Sequence, residues 1–204
     1  MTPLEGYGPE TPVVKAAKPL RADARRNRAR VLEAADEVFA AKGISASTEE
    51  IARHAKVGVG TVFRHFPTKE TLLEAVLVGR FGRLAQEARG LTGAEEPAVV
   101  LFDFLARIVD QSATKNAFAG ALTAAGVDVE NSVADVGREL WSALEILLTR
   151  AQRTGAVRGD VRVGELIALI VGASRAAEYA DRDPEIRART VAVIFDGLRT
   201  SRPA

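Results

Sequence analysis

The sequence predicts an all-α protein with a small N-terminal helical domain followed by a larger C-terminal helical bundle. Apolar residues recur at spacings of three and four along most of the chain, and no segment alternates convincingly over the length of a strand. Gly, Pro and Asp clusters interrupt this pattern at intervals that suit helices. With 204 residues, the chain is long enough to bury a core without disulfides or metals.

The N-terminal third divides into a tail and a small domain. Residues 1–20 hold four of the eight prolines and show little apolar periodicity, which predicts a disordered tail. We expect the small domain over residues 21–70 and the bundle over residues 71–204. The first helix of the small domain is predicted from apolar residues at helical spacing, and Gly43 follows it as a stop signal.

Two short helices are predicted next. Ser47 and Glu50 have the spacing of a capping box, with Ser47 as the N-cap of the first of them. We expect this helix to end before a tight turn at Val57-Gly58. The second short helix is predicted to begin near Val59. The apolar side chains that it is expected to bury are Val62, Phe63 and Phe66.

Pro67 is expected to end that helix, because a proline disfavours helical geometry in the residue before it. Thr68 has the side chain of an N-cap and predicts a longer fourth helix. A break over residues 90–97 follows. The remaining helices are predicted near residues 97–112, 115–125, 131–154, 163–178 and 184–199.

The composition excludes several kinds of site. The chain has no cysteine and two histidines, His54 and His65, so we expect no thiolate or histidine metal site and no cofactor. No nucleophile with an adjacent base is recognisable, which argues against an enzyme. No apolar run reaches the length of a membrane span and no signal-peptide pattern is present, so we expect a cytoplasmic protein without a membrane partner.

Positive charge is concentrated towards the N-terminal domain. Residues 15–69 contain twelve Lys and Arg against six Asp and Glu, whereas the whole chain has a net charge of +1. A basic run of this kind is usually a solvated surface. Beside a nucleic-acid-binding motif, the same charge can instead neutralise backbone phosphates.

The segment VGVGTVFRHFPTKE (57–70) has two interpretations. A phosphate-binding loop needs Lys-Ser/Thr directly after its last glycine, but Gly60 is followed by Thr61-Val62. A dinucleotide-binding loop needs a preceding strand, and none is predicted before Gly58. Two short helices joined by a tight turn instead match a helix-turn-helix motif, whose second helix enters the DNA major groove. Val59, Gly60 and Thr61 are small enough for a close approach to bases, and the Thr61 methyl can contact a thymine methyl.

Several segments of the N-terminal domain resemble a known family. They are RARVLEAA (28–35), FAAKG (39–43), TEEIA (48–52) and VGVGTVFRHFPTKE (57–70). Together they resemble the DNA-binding domain of the TetR family of bacterial transcriptional regulators, over residues 25–75 almost without gaps. The C-terminal part is similar to family members in being helical and in its GDVRV segment (159–163).

The resemblance implies DNA contacts at specific positions. Val59, Gly60 and Thr61 are expected to face bases. The residues expected to contact phosphates are Arg28, Ser47, Thr48, His65 and Lys69. Two positions depart from the family pattern. Phe63 replaces a tyrosine, which removes one hydroxyl contact to the DNA backbone. Lys56 stands where a small residue is usual, and it is either a further phosphate contact or a solvated side chain.

The resemblance also implies a dimer interface and an effector pocket in the C-terminal domain. The last two helices are more apolar than one core-facing stripe requires. The residues expected at the homodimer interface are Leu166, Ile167, Ile170, Val191, Ile194 and Phe195. Four aromatic residues either fill the core or line an apolar pocket for a small effector: Phe102, Phe104, Phe118 and Trp141. The candidate polar anchors for such a ligand are Asp103, Asp110, Asn116 and Glu178.

These features predict a TetR-like transcriptional regulator. We expect a repressor that binds a palindromic double-stranded DNA operator as a homodimer and is released by a small apolar effector. The alternative is a helical ligand-binding or interaction protein with weakened DNA binding. Phe63 slightly favours this alternative, whereas the basic segment and Thr61 argue against it.

Overall fold

The computed structural model describes residues 17–180 and 183–200, and this part of the chain is almost entirely helical. Besides one 3-10 helix (Gly43–Ser45), it contains nine α-helices. In chain order these are α1 (Ala17–Lys42), α2 (Thr48–His54), α3 (Val59–His65), α4 (Lys69–Leu91), α5 (Pro97–Asp110), α6 (Ser112–Ala124), α7 (Val129–Arg153), α8 (Val163–Tyr179) and α9 (Pro184–Asp196). The all-α prediction is confirmed, since the one β contact in the described part is a bridge between Val157 and Arg199.

Helix α1 begins earlier than predicted. Residues 17–20 were expected in the tail but form the first turn of α1, whereas residues 1–16 lie outside the described part of the chain. Pro19 falls within this first turn. A proline is tolerated there because the N–H that it lacks would have no partner inside the helix. The other predicted helices are found with small shifts at their ends.

Both predicted N-caps are confirmed. The Glu50 N–H donates to Ser47 Oγ at 3.2 Å, and the Ser47 N–H donates to the Glu50 carboxylate at 3.1 Å. At the start of α4, the Thr71 N–H donates to Thr68 Oγ1 at 3.2 Å, and the Thr68 N–H donates to Thr71 Oγ1 at 3.2 Å. These side chains satisfy N–H groups that have no partner within the helix, so they fix where α2 and α4 begin.

The buried side chains form two clusters. One lies among α1, α2, α3 and the first half of α4, and it includes Phe118 and Leu122 of α6. The other joins the second half of α4 to α5, α7, α8 and α9. Helix α4 therefore runs through both cores, while α6 completes the core of the N-terminal domain. The Phe118 ring meets Phe39 of α1 edge-on, with the ring centroids 5.6 Å apart.

Charged side chains also hold α1, α4 and α6 together. Arg80 Nε of α4 donates to the Asp36 carboxylate of α1 at 2.5 Å, and Arg83 binds the other oxygen of that carboxylate. The Arg80 guanidinium also lies 4.7 Å from the centroid of the Phe118 ring. Helices α1, α4 and α6 are thus joined by ionic and cation–π contacts as well as by apolar packing. None of the described helices is both long and apolar enough to cross a membrane.

Candidate nucleic-acid interface and cavity

The turn between α2 and α3 is centred on Lys56. The Val57 N–H donates to the Ala52 carbonyl at 3.0 Å, and the Lys56 N–H donates to the Arg53 carbonyl at 3.1 Å. This pair of bonds defines a Schellman motif, in which the residue after the C-cap has left-handed geometry. Lys56 has that geometry, with φ of 54°. Gly58 is extended, with φ of −69°, and is the N-cap of α3, so placing the tight turn at Val57-Gly58 was wrong.

Helix α3 buries two of the three predicted side chains. Val62 and Phe66 are 0% and 3% exposed, but Phe63 is 44% exposed. Val62 and Phe66 are four residues apart and share one face, whereas Phe63 is rotated by about 100° from Val62 on a helix. The prediction of Phe63 as a core residue was therefore wrong. Pro67 ends the helix as expected, since Phe66 is extended with φ of −136°.

The start of α3 is open to solvent. Val59 is 39% exposed and Gly60 is also exposed. Thr61 is partly buried, and its N–H donates to the Gly58 carbonyl at 2.8 Å. A Cβ atom added to Gly60 would meet no atom within 4 Å. The fold therefore does not require glycine at position 60, even though glycine weakens a helix by about 0.5–1 kcal/mol relative to alanine.

The residues expected to contact phosphates come from α1 to α4, from the N-cap of α2 and from the turn between α2 and α3. Arg28 of α1 is exposed, and its guanidinium lies 5.0 Å from the centroid of the Phe66 ring. Lys56 is exposed, whereas Lys69 is partly buried as the first residue of α4. His65 and Thr48 are also partly buried. The Ser47 hydroxyl accepts the Glu50 N–H, so a phosphate contact would use the hydroxyl of Ser47 as donor.

A cavity of about 660 Å³ lies in the C-terminal domain among α4, α5, α6, α7 and α8. Its apolar lining residues are Phe81, Leu84, Ile108, Val133, Ala134, Leu140, Trp141, Leu144, Ile167, Ile170 and Val171. Trp141, 44% exposed, is among them, as predicted for a pocket aromatic. Within the described part of the chain, no cluster of His, Asp and Glu side chains is arranged to hold a metal ion.

The other three predicted pocket aromatics do not line this cavity. Phe104 and Phe118 are 0% exposed and Phe102 is 8% exposed. Phe118 fills the N-terminal core, and Phe102 packs against Phe195 with ring centroids 6.0 Å apart. For these three residues the core alternative is the correct one.

The polar side of the cavity was only partly anticipated. Of the candidate anchors, Asn116 lines the cavity and donates to Glu178 at 2.6 Å, while Asp110 pairs with Arg187 and Asp103 is exposed. The polar lining residues that sequence reasoning missed are Lys115, Glu130, Arg138, Ser174 and Arg175. A signal for Lys115 existed, because Lys115, Phe118 and Leu122 share the three-and-four spacing of one helix face.

Half of the residues predicted at the dimer interface belong to the core of the chain itself. Leu166, Ile170 and Phe195 are at most 8% exposed. Ile167, Val191 and Ile194 are partly buried against the same core. The exposed large hydrophobic residues of α8 and α9 are Leu169 at 40%, Val171 at 57%, Tyr179 at 94%, Ile186 at 56% and Val193 at 66%. Sequence periodicity located the apolar helices, but it did not separate their core-facing residues from their outward-facing ones.

Comparison with known proteins identifies both domains. Residues 31–76 match a family described as bacterial regulatory proteins, tetR family, and residues 96–200 match the C-terminal domain of SbtR-like transcriptional regulators. The regulator SrpR of Pseudomonas putida is 45% identical over 65 residues, which are 31% of this chain and 30% of that protein. The chain thus spans about a third of the length of this curated relative.

Two solved structures resemble nearly the whole chain. A TetR transcription regulatory protein from Mycobacterium vanbaalenii is 43% identical, with a TM-score of 0.70, over 89% of this chain and 100% of that chain. A TetR transcriptional regulator from Streptomyces coelicolor is 33% identical, with a TM-score of 0.68, over 86% of this chain and 99% of that chain. The chain therefore belongs to the TetR family of helix-turn-helix transcriptional regulators.

Proposed function

We propose that this regulator binds a palindromic operator as a homodimer, represses transcription by occupying it, and releases it when a small effector binds. The observation that carries the proposal is the geometry of the α2–α3 unit. A capping box fixes α2, a Schellman turn at Lys56 sets the angle to α3, and α3 begins with exposed small residues. A helix start of this kind can lie against base edges in a major groove.

Val59, Gly60 and Thr61 are the proposed base contacts. The exposed glycine at position 60 supports this assignment, because the protein's own packing does not require it and a side chain there would hold the helix away from the DNA. The proposed phosphate contacts are Arg28, Ser47, Thr48, Lys56, His65 and Lys69. Phe63, exposed on α3, offers an apolar edge at the position where a hydroxyl would reach the DNA backbone.

The dimer is proposed to form through the outer face of α8 and α9. Leu169, Ile186 and Val193 are large, apolar and exposed on these two helices. Apolar side chains grouped on an outer helix pair favour contact with a matching surface. A homodimer related by a twofold axis would place two α3 helices in successive major grooves of one operator.

Helix α6 offers a route from the cavity to the DNA-binding domain. Lys115 and Asn116 line the cavity, while Phe118 and Leu122 of the same helix fill the N-terminal core. A ligand that moves α6 would therefore alter packing beneath α1 and α4. Release from DNA then requires that the ligand bind more tightly to the state with misplaced α3 helices than to the DNA-binding state.

Two substitutions test the assignment of base and phosphate contacts. The operator would first be selected from random duplexes with the full chain. We expect Thr61→Ala to change the preferred sequence, because it removes a contact to a base edge. We expect Lys69→Ala to weaken binding evenly across sequences and to lower the salt slope by about 0.9 for each lost phosphate contact. Equal, sequence-independent losses from both variants would contradict Thr61 as a base contact.

A helical ligand-binding protein with weakened DNA binding is the competing function, and the exposed Phe63 is the observation that favours it. A gel shift at low salt distinguishes this function from that of a DNA-binding regulator. Because phosphate contacts strengthen as salt falls, a DNA-binding protein with this basic domain must retard duplex DNA under these conditions. Absence of retardation at low salt would favour the competing function.

A further inference from the structure

The cavity in the C-terminal domain has two chemically different kinds of wall. Its apolar residues come from several helices, whereas polar groups gather where α6 and α8 meet: Lys115, Asn116, Ser174 and Arg175. Two other charged lining residues, Glu130 and Arg138, are exposed to solvent, and Arg138 already pairs with Asp135. Arg175 is exposed as well, so the less exposed polar groups of the cavity are Lys115, Asn116 and Ser174.

Lys115 is a partly buried cation without a carboxylate partner in the described part of the chain. No carboxylate there lies within the 4.0 Å of an ion pair from its ammonium. The Phe81 ring offers partial compensation, since its centroid is 5.4 Å from Lys115 Nζ. Burial lowers the pKa of Lys115, and the negative charge of Glu178 opposes that change. An anion beside Lys115 would offset the cost of burying this charge.

The carboxylate near this site is already engaged. Asn116 Nδ2 donates to one oxygen of Glu178 at 2.6 Å, and Arg175 Nη1 donates to the other at 3.1 Å. Ser174 is 3% exposed, and its hydroxyl finds no hydrogen-bond partner among the described residues. Lys115 and Ser174 thus offer a ligand an ammonium and a hydroxyl that make no side-chain hydrogen bond to the described residues, and both can donate hydrogen bonds.

We propose that the cavity binds an apolar small molecule that carries one anionic group, a carboxylate or a sulfonate, and that Lys115 contacts this group. The proposal rests on the effector-binding function proposed above and names the chemical class of the effector. The apolar lining would hold the body of the molecule, while Lys115 and Ser174 would donate to its acidic end. A cationic ligand would instead bring a like charge to Lys115, because Glu178 is already engaged by Asn116 and Arg175.

Two fluorescent probes with the same aromatic body test this charge preference. 8-Anilinonaphthalene-1-sulfonate carries a sulfonate, and N-phenyl-1-naphthylamine is the same molecule without it. Trp141 lines the cavity and is the one tryptophan of the chain, so energy transfer from it reports a probe bound nearby. Both probes would be titrated into the full chain without DNA.

Lys115→Met removes the charge while keeping a long side chain. We expect it to weaken binding of the sulfonate probe about tenfold and to change binding of the neutral probe by less than about twofold. Unchanged binding of the neutral probe also shows that the variant is folded. Lys115→Arg keeps a cation and should retain binding of the sulfonate probe.

Gly137→Leu is the control for the location of the probes. Gly137 lines the cavity on α7, and a Cβ atom there would meet no atom within 4 Å, so a leucine can enter the cavity. We expect this variant to lose both probes while its unfolding temperature rises, because leucine favours a helix interior more than glycine does. Probe binding that survives Gly137→Leu would overturn the proposed site.

The charge preference would be overturned if Lys115→Met affected both probes equally or neither, or if the wild type bound neither probe. Operator binding by the wild type is measured separately, without any probe. Failure to bind an operator would refute the proposed function and leave the result on charge preference intact. Operator binding without discrimination between the probes would refute the charge preference alone.

Discussion

Lys56 allows the stability of the α2–α3 turn to be separated from its contact with DNA. This residue is exposed and has left-handed backbone geometry, with φ of 54°. Glycine adopts this geometry without steric cost, asparagine adopts it readily, and alanine does not. Replacing Lys56 by Gly, Asn or Ala removes the same charge in each case, but the strain of the turn is relieved to different degrees.

The expected magnitudes follow from two opposing terms. Left-handed geometry costs a residue with a Cβ about 1–2 kcal/mol, and a glycine adds about 0.5–1 kcal/mol of chain entropy to the unfolded state. Lys56→Gly should therefore be more stable than Lys56→Ala by about 0.5–1 kcal/mol, with Lys56→Asn between them. Each lost phosphate contact lowers the salt slope by about 0.9, so a dimer with two turns should lose about 1.8.

Equilibrium unfolding in urea gives the stability of each variant, and anisotropy of a labelled operator across salt concentrations gives the slope. We expect the three variants to differ in stability but to share one reduced slope. A salt slope equal to that of wild type would show that Lys56 is a solvated side chain. Stability that is the same in all three variants would contradict the left-handed geometry of the turn.

Four further substitutions, three on the surface and one in the core, have expected outcomes. Gly60→Ala should stabilise the protein by about 0.5–1 kcal/mol and yet weaken operator binding, since a methyl group would meet a base edge. A variant that gains both stability and operator affinity would contradict the close approach of α3 to the bases. Phe63→Tyr should tighten operator binding about threefold in the same anisotropy titration, through one added hydrogen bond; unchanged affinity would show that the ring does not face the backbone. Phe118→Ala should lower the unfolding free energy measured in urea by about 3–5 kcal/mol, because this ring of α6 is 0% exposed in the N-terminal core. A loss below about 1 kcal/mol would mean that α6 does not complete that core. Val193→Glu should shift sedimentation from dimer to monomer, whereas Val99→Glu, on an exposed side chain of α5, should not; equal effects would place the interface elsewhere.

Local sequence signals predicted the helix-turn-helix unit well. Ser47 with Glu50, Thr68 and Pro67 each act within a few residues of the chain, so their effect on the backbone does not depend on distant contacts. The exception is the turn, which was expected at Val57-Gly58 but is centred on Lys56, the residue with left-handed geometry. Placement of Val57 against the core and two backbone bonds hold Lys56 there, and intrinsic preference does not reveal either.

The C-terminal domain was predicted less completely, because its site depends on how faces of separate helices meet. Periodicity identifies an apolar helix such as α8, but it does not say whether Ile170 or Leu169 turns outward. Phe118 illustrates the same limit, since its helix belongs to the bundle while its ring fills the N-terminal core. Of the polar residues that line the cavity, Asn116 was the one named from the sequence, and its neighbour Lys115 was missed.

Selection of bound sequences from random DNA duplexes tests the central claim most directly. Two copies of the α2–α3 unit, joined by the α8–α9 face, should enrich a sequence with twofold symmetry. Its half-sites should be centred about 34–36 Å apart or at a multiple of that distance. Thr61→Ala should alter the enriched bases without altering the spacing. Failure to enrich any sequence at low salt, or enrichment of a single half-site without symmetry, would contradict a dimeric operator-binding regulator.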